Sequence, residues 1–479
     1  MPAIITNKFR VHNAKSFISS ALKYYMFIGR PHSWTDDQIP DTPKNNASDS
    51  ISIWDEIISM KLIDKESYMS HGISKRIWTS GKFYDIYRHD YGTAGVSGVN
   101  IDTGAATTPT DLSDAKYYVI SGNDIYICVS NGNGTAAVAS TIDPATLVPD
   151  ANMLCKGGVD TYVWKKVATG GVSDIIKFAT TDYFPVKTLS VDPVTGDYAS
   201  QWDWQVQSGT DKGAIFNFKL TAGGTGYGAN LVNQAGIATV KGDGAGCTVG
   251  VFTDGDGAIT KLQVNNIGSG YTWANITFIT GTSAAATAII SPPKGLGVDP
   301  VSDLNAFNII TNVRFEYADG DDFPVTNDYR RIGMIVNPAQ YGAPNTPLAT
   351  STASAMLTLK ITAGWTGTWA ADQVIEDATT KARGRIVDVN DGTGGDVGKK
   401  ILRVIRTQEE NAQSTVTNAA FVAANVLNTV PGGSASGTIS EVVAPEVEPD
   451  SGEMVYIENR RPIMRSIDQI EDIKLVLEF

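Results

Sequence analysis

A glycine-rich segment from Gly392 to Lys400 comes closest to a phosphate-binding loop. A P-loop requires a glycine five positions before its Gly-Lys pair, and a Ser or Thr after that pair whose hydroxyl binds magnesium. Here the pair is Gly398-Lys399, the earlier glycine is replaced by Thr393, and the hydroxyl position is Lys400. We therefore expect no nucleotide to bind at this segment.

A second motif, Asp254-Gly-Asp256-Gly257, resembles the opening of a calcium-binding loop. An EF-hand needs a bidentate glutamate at its twelfth position, and Asn265 stands there instead. The standard calcium site is thus excluded. A hairpin turn explains the motif better, with a loose calcium site left open as an alternative.

The residues needed for nucleophilic catalysis do not fall at the required spacings. No Gly-x-Ser-x-Gly elbow exists, and the four histidines show no partner spacing. The three cysteines are far apart, which favours buried free thiols over structural zinc: Cys128, Cys155 and Cys247. We predict no enzymatic activity, no cofactor and no metal. A glycosidase needs only two carboxylates, however, and the chain has 51 acidic residues.

Composition limits the class of protein and its partners. The net charge of −13 disfavours a nucleic-acid partner, because phosphates are bound mainly by clustered Lys and Arg. No apolar run is long enough to span a bilayer, so membrane insertion is not expected. With 47 glycines in 479 residues and only 19% charged residues, the composition indicates a turn-rich, mainly β protein.

Hydrophobic periodicity predicts helices near the N-terminus and strands elsewhere. The apolar spacing from His12 to Phe27 is helical, and a second short helix is predicted from Ile53 to Met60. A period of two then prevails up to a last strand, Ile473 to Phe479. Left open, this apolar strand would aggregate, so we expect it to pair within a sheet and the two chain ends to share one core.

Two glycine-rich stretches predict inserted modules. The turns Gly224-Thr-Gly226-Tyr227 and Gly268-Ser-Gly270-Tyr271 lie 44 residues apart and predict a duplicated β unit, in which glycines allow a positive φ and tyrosines cover the turns. A similar stretch predicts a second module. The predicted segments are 1–214 (N-terminal part of the core, with helical connections), 215–297 (duplicated Gly-Tyr module), 298–349 (core strands), 350–445 (second β module) and 446–479 (C-terminal core strands).

The most specific residues lie towards the two ends of the chain. The run Ser-Gly-Glu-Met-Val-Tyr-Ile-Glu-Asn-Arg-Arg-Pro-Ile (451–463) and its continuation (468–479) closely resemble the C-terminus of the baseplate wedge subunit family of T-even-type contractile-tailed bacteriophages. Further similarity to this family, in family order, is found in four segments: Ile5–Arg10, Phe27–Trp34 and, more weakly, Gly158–Trp164 and Arg331–Pro338.

The resemblance implies an antiparallel β-sandwich protomer with short helices in its connections, forming a homodimer within each wedge. It further implies a structural virion protein of the tail baseplate, assembled in the host cytoplasm. Such a protein would hold other baseplate wedge subunits and transmit conformational change on host attachment. The modules at 215–297 and 350–445 have no counterpart in the family pattern, so contacts made there cannot be carried over.

Three residues are candidates for the subunit interface, because aromatic residues and Arg dominate interface hot spots: Trp34, Tyr456 and Arg460. Core packing of the two aromatic residues and a local ion pair at Arg460 are the alternatives. Two other functions also stay open. One is a glycan-binding or host-contacting tail protein with Tyr227 and Tyr271 as aromatic platforms. The other is a tail-associated polysaccharide hydrolase using paired carboxylates.

Overall fold

The computed structural model describes residues 4–132, 137–157, 161–193, 198–209, 212–316, 322–325, 327–406, 419–466 and 469–479. With 43% strand and 11% helix, the chain has the predicted mainly β fold. It forms two compact units, each assembled from separated segments. The first unit comprises Met1–Ser19, Met69–Thr311 and Leu475–Phe479, and the second comprises Ser20–Tyr68 and Asn312–Lys474.

The elements follow in chain order. The helices are α1 (Asn7–Ser19), α2 (Ala47–Asp55), α3 (Lys65–Tyr68), α4 (Val172–Phe178), α5 (Tyr198–Ser208) and α6 (Pro300–Asp303). The strands up to the duplicated module are β1 (Tyr24–Gly29), β2 (Ile57–Leu62), β3 (Met69–Ser74), β4 (Gly98–Val99), β5 (Ala106–Thr107), β6 (Tyr118–Ser121), β7 (Asp124–Asn131), β8 (Leu154–Cys155), β9 (Tyr162–Thr169) and β10 (Tyr183–Val186).

The remaining strands begin with the duplicated module. They are β11 (Ile215–Thr225), β12 (Ala238–Gly242), β13 (Ala245–Thr253), β14 (Ile259–Ser269), β15 (Ala274–Phe278), β16 (Thr282–Ile290), β17 (Asn308–Phe315), β18 (Tyr329–Val336), β19 (Ala339–Gln340), β20 (Ala343–Pro347), β21 (Thr352–Ser354), β22 (Leu357–Ile361), β23 (Thr366–Gly367), β24 (Val374–Asp377), β25 (Arg383–Asp391), β26 (Lys400–Ile405), β27 (Val426–Val430), β28 (Ala435–Val443), β29 (Glu453–Ile463) and β30 (Glu471–Glu478).

A five-stranded sheet in the second unit has the order β21-β2-β1-β18-β29, and its pairings are antiparallel. Phe27 of β1 lies opposite Gly333 of β18, which in turn lies opposite Ile457 of β29. A side chain at Gly333 would overlap the Phe27 ring, so only glycine lets this ring lie across the neighbouring strand. The sheet therefore builds its core around the aromatic residues of β1.

Both helices predicted near the N-terminus have different bounds from those expected. The predicted helix 12–27 is wrong in its second half, because α1 ends at Ser19 and Tyr24–Gly29 is a strand. All six residues of this strand are buried, and a strand buried on both faces carries an unbroken apolar run that periodicity cannot distinguish from a helix. The predicted helix 53–60 is displaced in the same way. The Asn46 side chain caps α2, which ends at Asp55 before β2 begins.

The second glycine-rich stretch forms a closed antiparallel sheet. Its strands follow the order β22-β26-β25-β24-β27-β28, and β28 pairs again with β22, while β23 adds to β28. Closure removes the unpaired edges that would otherwise favour aggregation. The interior is filled by a separate set of buried apolar side chains, including Leu359, Trp369, Leu402 and Ile439.

A four-stranded sheet, β6-β7-β9-β8, forms the centre of the first unit around Trp164. Cys128 of β7 and Cys155 of β8 both lie opposite Trp164 of β9. All three cysteines of the chain are free, and these two are buried. Burial raises the pKa of the Cys155 thiol to about 11, which makes it a poor nucleophile.

The two chain ends contact each other in the first unit, as predicted. Arg10 of α1 pairs with Glu478 at 2.6 Å and also donates to the backbone oxygen of Phe479. The rings of Phe17 and Phe479 lie 5.2 Å apart. The C-terminal strand β30 is paired in the order β10-β3-β17-β30, so its apolar residues lie in a sheet.

The duplicated module consists of two three-stranded copies that are interlocked. Strands β11, β12 and β13 match β14, β15 and β16 in length, with 11, 5 and 9 residues in each copy. The pairs are β11 with β16, β12 with β15 and β13 with β14. Every one of these pairs joins the two copies, and exchanging the copies leaves the pattern unchanged. Each strand of one copy thus forms backbone hydrogen bonds with a strand of the other copy. The two copies share one hydrophobic core.

The glycine turns repeat in the two copies almost to the degree. Gly224 and Gly226 have φ values of 61° and 80°, and Gly268 and Gly270 have 61° and 79°. The predicted positive φ values are therefore confirmed. In this region a residue with a Cβ atom is strained, because the Cβ crowds the backbone.

The tyrosine after each turn is buried and contacts the other copy. The Tyr227 hydroxyl accepts a hydrogen bond from the backbone N–H of Ala284 at 3.1 Å, and the Tyr271 hydroxyl accepts one from Cys247 at 3.3 Å. The two tyrosines are only 4% and 5% exposed. Each therefore locks its turn against the last strand of the opposite copy.

Replacing either Gly224 or Gly268 by alanine is expected to destabilise the module by about 2 kcal/mol or more. The left-handed backbone costs alanine about 1–2 kcal/mol, and the new Cβ would also overlap the opposite copy, at Thr282 for Gly224 and at Ala245 for Gly268. Amide hydrogen exchange along β11 and β14 measures the effect. Gly236→Ala is the control, because its φ is +81° but nothing lies within 4 Å. Equal losses at all three positions would contradict the contact argument.

Candidate subunit interface

Three segments that carry the family resemblance meet in the five-stranded sheet. Phe27–Trp34 begins in β1, Arg331–Pro338 in β18, and 451–463 contains all of β29. These strands are neighbours, with Phe27 opposite Gly333 and Gly333 opposite Ile457. Segments far apart along the chain are thus joined by backbone hydrogen bonds into one sheet. Of the other segments, Gly158–Asp160 and Asp468 lie outside the described residues.

Trp34, the first interface candidate, is packed inside the second unit. Its indole N–H donates to the backbone oxygen of Arg460 at 2.9 Å, which ties the loop after β1 to β29. The guanidinium groups of Arg30 and Arg331 lie 3.7 and 5.4 Å from its ring centroid. Only 7% of the residue is exposed, so in the isolated chain Trp34 supports the edge of the sheet from inside.

Glu56 forms ion pairs with the two arginines around this tryptophan. Sequence reasoning did not identify it. Its carboxylate contacts Arg30 at 2.8 Å, Arg331 at 2.5 Å and His32 at 3.6 Å. Burial, followed by the neighbouring arginines, lowers the pKa of His32 to about 3, so this histidine is neutral at pH 7. In the sequence, Glu56 follows Asp55 inside the predicted helix 53–60, and nothing there indicated its partners.

Tyr456 and Arg460, the other two candidates, share one carboxylate on β29. The tyrosine hydroxyl donates to Glu458 at 2.8 Å, and the arginine pairs with the same side chain at 2.7 Å. Burial raises the pKa of Tyr456 to about 12, and the Glu458 charge adds to this. The side chains of Arg460 and Glu458 are each 32% exposed, so this row lies at the surface with part of its bonding already satisfied.

The outer side of β29 is covered at one end only. Asn459 donates to the backbone oxygen of Asp41 at 2.7 Å and Arg461 to that of Gln38 at 3.1 Å, so the loop after β1 shields the C-terminal half. Within the described residues, the N-terminal half of β29 pairs with β18 alone, and Val455 there is 46% exposed. This half-strand is the site at which another chain could add to the sheet.

The two motifs that suggested ligand chemistry form turns. In the segment 392–400, Lys399 pairs with Asp396 at 2.7 Å and Lys400 pairs with Asp391, so both lysines are neutralised locally. Asp254 accepts from the backbone N–H groups of Asp256 and Ala258, which makes a turn between β13 and β14. The hairpin explanation of this motif is confirmed.

Across the part of the chain that the structure describes, no group of three or more His, Cys, Asp or Glu side chains is arranged to hold a metal ion. Nor is any helix of that part long and apolar enough to cross a membrane. The chain matches no protein-family model and has no significant match among curated proteins. The mainly β fold and the half-open edge of β29 are therefore the features from which its function must be inferred.

Proposed function

We propose that this protein is a structural subunit of a phage tail baseplate wedge, acting by binding and not by catalysis. The observation that carries the proposal is the convergence of Phe27–Trp34, Arg331–Pro338 and 451–463 on adjacent strands. A fortuitous likeness would have no reason to place three separated segments side by side. Three of the segments that resemble the baseplate wedge subunit family therefore belong to one continuous sheet.

The edge of β29 suits assembly with a second chain. An unpaired strand edge offers backbone N–H and C=O groups to a partner strand, and the exposed Val455 adds apolar area at the same place. Tyr456 and Arg460 flank it, and both residue types are enriched at hot spots. We assign this edge to the homodimer contact or to another wedge subunit. A shift of that partner would transmit the conformational change on host attachment. The protein would reside in the virion after assembly in the host cytoplasm.

Sedimentation equilibrium of the purified chain at micromolar concentration tests the dimer. Val455→Asp is expected to weaken self-association at least about tenfold, because it places an unpaired charge in an apolar contact. Val397→Asp is the matched control, since that valine is 74% exposed in a turn of the closed sheet. A strictly monomeric wild-type chain would refute the dimer. A dimer insensitive to the Val455 change would remove β29 from its interface.

Co-expression with the products of neighbouring reading frames tests the wedge itself, because wedge subunits tend to be encoded together. We expect at least one of these proteins to co-elute with the chain in size-exclusion chromatography, and less of it with the Val455→Asp variant if the contact uses β29. Normal folding of every component without any complex would contradict a role in a wedge.

Among the described residues, we find no observation that favours either alternative function. The glycan-binding hypothesis relied on Tyr227 and Tyr271 as stacking platforms, and both rings are buried with their hydroxyls bonded inside the module. The hydrolase hypothesis needs two facing carboxylates in a cleft. Of two small cavities in the first unit, one is lined by the single carboxylate Asp174 and the other by none.

A further inference from the structure

Helix α5 packs on β9 in the first unit and buries a carboxyl group in the contact. Asp203 of this helix is 4% exposed, and its Oδ1 atom has no hydrogen-bond partner among the described residues. An ionised carboxylate is rarely buried unless a cation pairs with it or several donors surround it. The groups around Asp203 therefore decide whether it carries a charge.

One ammonium group faces two carboxyl groups at this contact. Among the described residues, Lys166 of β9 and Asp124 of β7 are the charged groups that act on Asp203. Lys166 pairs with Asp124 at 2.8 Å, and its ammonium lies 4.2 Å from the Trp202 ring centroid. Asp124 also accepts a hydrogen bond from the Tyr126 hydroxyl at 3.2 Å. With both carboxyl groups ionised, the cluster would thus hold one negative charge in excess, on the more deeply buried Asp203.

The hydroxyl of Thr169 links the two carboxyl groups. It donates to Asp124 at 2.8 Å, and it also contacts Asp203, as does the Thr169 backbone N–H. A hydroxyl has one proton to donate and accepts through its lone pairs. Both of its bonds are therefore made at once only when Asp203 carries a proton and donates it to the threonine oxygen. The arrangement of donors assigns the proton to Asp203, while Asp124 keeps its charge beside Lys166.

We propose that docking of α5 on β9 takes up one proton at Asp203, so that this helix–strand contact is a pH-sensitive switch that is tighter at acidic pH. In the docked helix, burial raises the pKa of Asp203 to about 7, against the opposing effects of Thr169 and Lys166. In a released helix the carboxyl group is in water and ionises at about pH 4. Docking should therefore weaken about tenfold per pH unit between these two values and level off above about pH 8. This inference does not depend on the baseplate proposal.

Amide hydrogen exchange of α5 in the full-length chain from pH 5 to pH 9, corrected for the chemical exchange rate at each pH, tests the switch. The opening equilibrium of the wild-type helix should rise about 100-fold over this range, most of it below pH 7. Asp203→Asn keeps the shape without the charge, so its helix should stay as protected at pH 9 as the wild-type helix at pH 5. Asp182→Asn is the matched control, because Asp182 is an exposed aspartate of the same unit, and it should retain the full change.

Asp124→Asn tests the cluster without altering Asp203. It frees Lys166 to pair with Asp203, which lowers the pKa of Asp203, so the change in α5 opening should fall below about tenfold. A wild-type opening equilibrium that does not vary with pH would overturn the proposal. So would equal pH dependence in wild type and Asp203→Asn, or an undiminished change in Asp124→Asn. Loss of protection in β7 in step with α5 would show unfolding of the whole unit and would also refute a switch at this contact.

Discussion

Glu56→Gln is expected to lower the free energy of unfolding of the second unit by about 3–5 kcal/mol, the usual cost of breaking a buried ion pair. Glu56 is 5% exposed and Arg331 6%, so water cannot solvate the arginine once the carboxylate charge is lost. A neutral amide would leave Arg331 and Arg30 facing each other beside Trp34. Amide hydrogen exchange along β1 and β18 reports this unit without assuming that the whole chain unfolds in one step.

A matched control separates this effect from the loss of any acidic residue. Glu441 pairs with Lys360 at 2.9 Å, but its side chain is 52% exposed. Glu441→Gln should therefore cost less than about 1 kcal/mol. Adding Arg331→Met to the Glu56→Gln variant should recover part of the loss, because it removes the uncompensated charge. If Glu56→Gln costs no more than the control, the network does not stabilise the sheet.

Trp164→Ala should destabilise the first unit by about 3–5 kcal/mol, as expected when a large aromatic residue is removed from a core. Trp164 is fully buried, and its ring centroid lies 5.4 Å from that of Tyr84 and 5.5 Å from that of Tyr162. Alanine would leave a cavity between Cys128 and Cys155, which lie opposite it on the neighbouring strands. Hydrogen exchange along β7 and β9 measures the loss.

Two further tryptophan variants test the reason for this cost. Trp273→Ala should change stability by less than about 1 kcal/mol, because Trp273 is 55% exposed. Trp164→Phe should cost much less than Trp164→Ala. It keeps an aromatic ring, and it removes an indole N–H that is buried without a partner among the described residues. Equal losses for Trp164→Ala and Trp273→Ala would contradict the burial argument.

Local sequence patterns predicted the turns and the strand content better than they predicted which strands pair with each other. The glycines of the duplicated module indicated positive φ because only glycine adopts it without strain, and the structure agrees at Gly224 and Gly268. The run Tyr24–Gly29 was assigned to a helix because an apolar segment buried on both faces lacks a period. Its conformation depends on β2 and β18, which lie far away in the sequence.

The candidate interface residues show the same difference between what local sequence indicates and what folding decides. Trp34, Tyr456 and Arg460 were chosen from residue type, which says nothing about how much of a side chain is covered. Folding buries Trp34 behind the backbone of Arg460, whereas Tyr456 and Arg460 share Glu458 at the surface. Their role in an interface remains a prediction. Glu56 was missed because its importance comes from two arginine partners, of which Arg331 is remote in sequence.

By itself, the sequence determined the mainly β class, the duplicated glycine turns and the contact between the chain ends, because these depend on composition, on φ preferences and on an apolar terminal strand that must be paired. Only the tertiary structure decided that the two copies of the module are interlocked, that the second module closes on itself, and that three of the segments resembling the wedge family lie in one sheet. These features depend on which strands exchange backbone hydrogen bonds. Such pairing is set by packing between distant residues, and no local pattern encodes it.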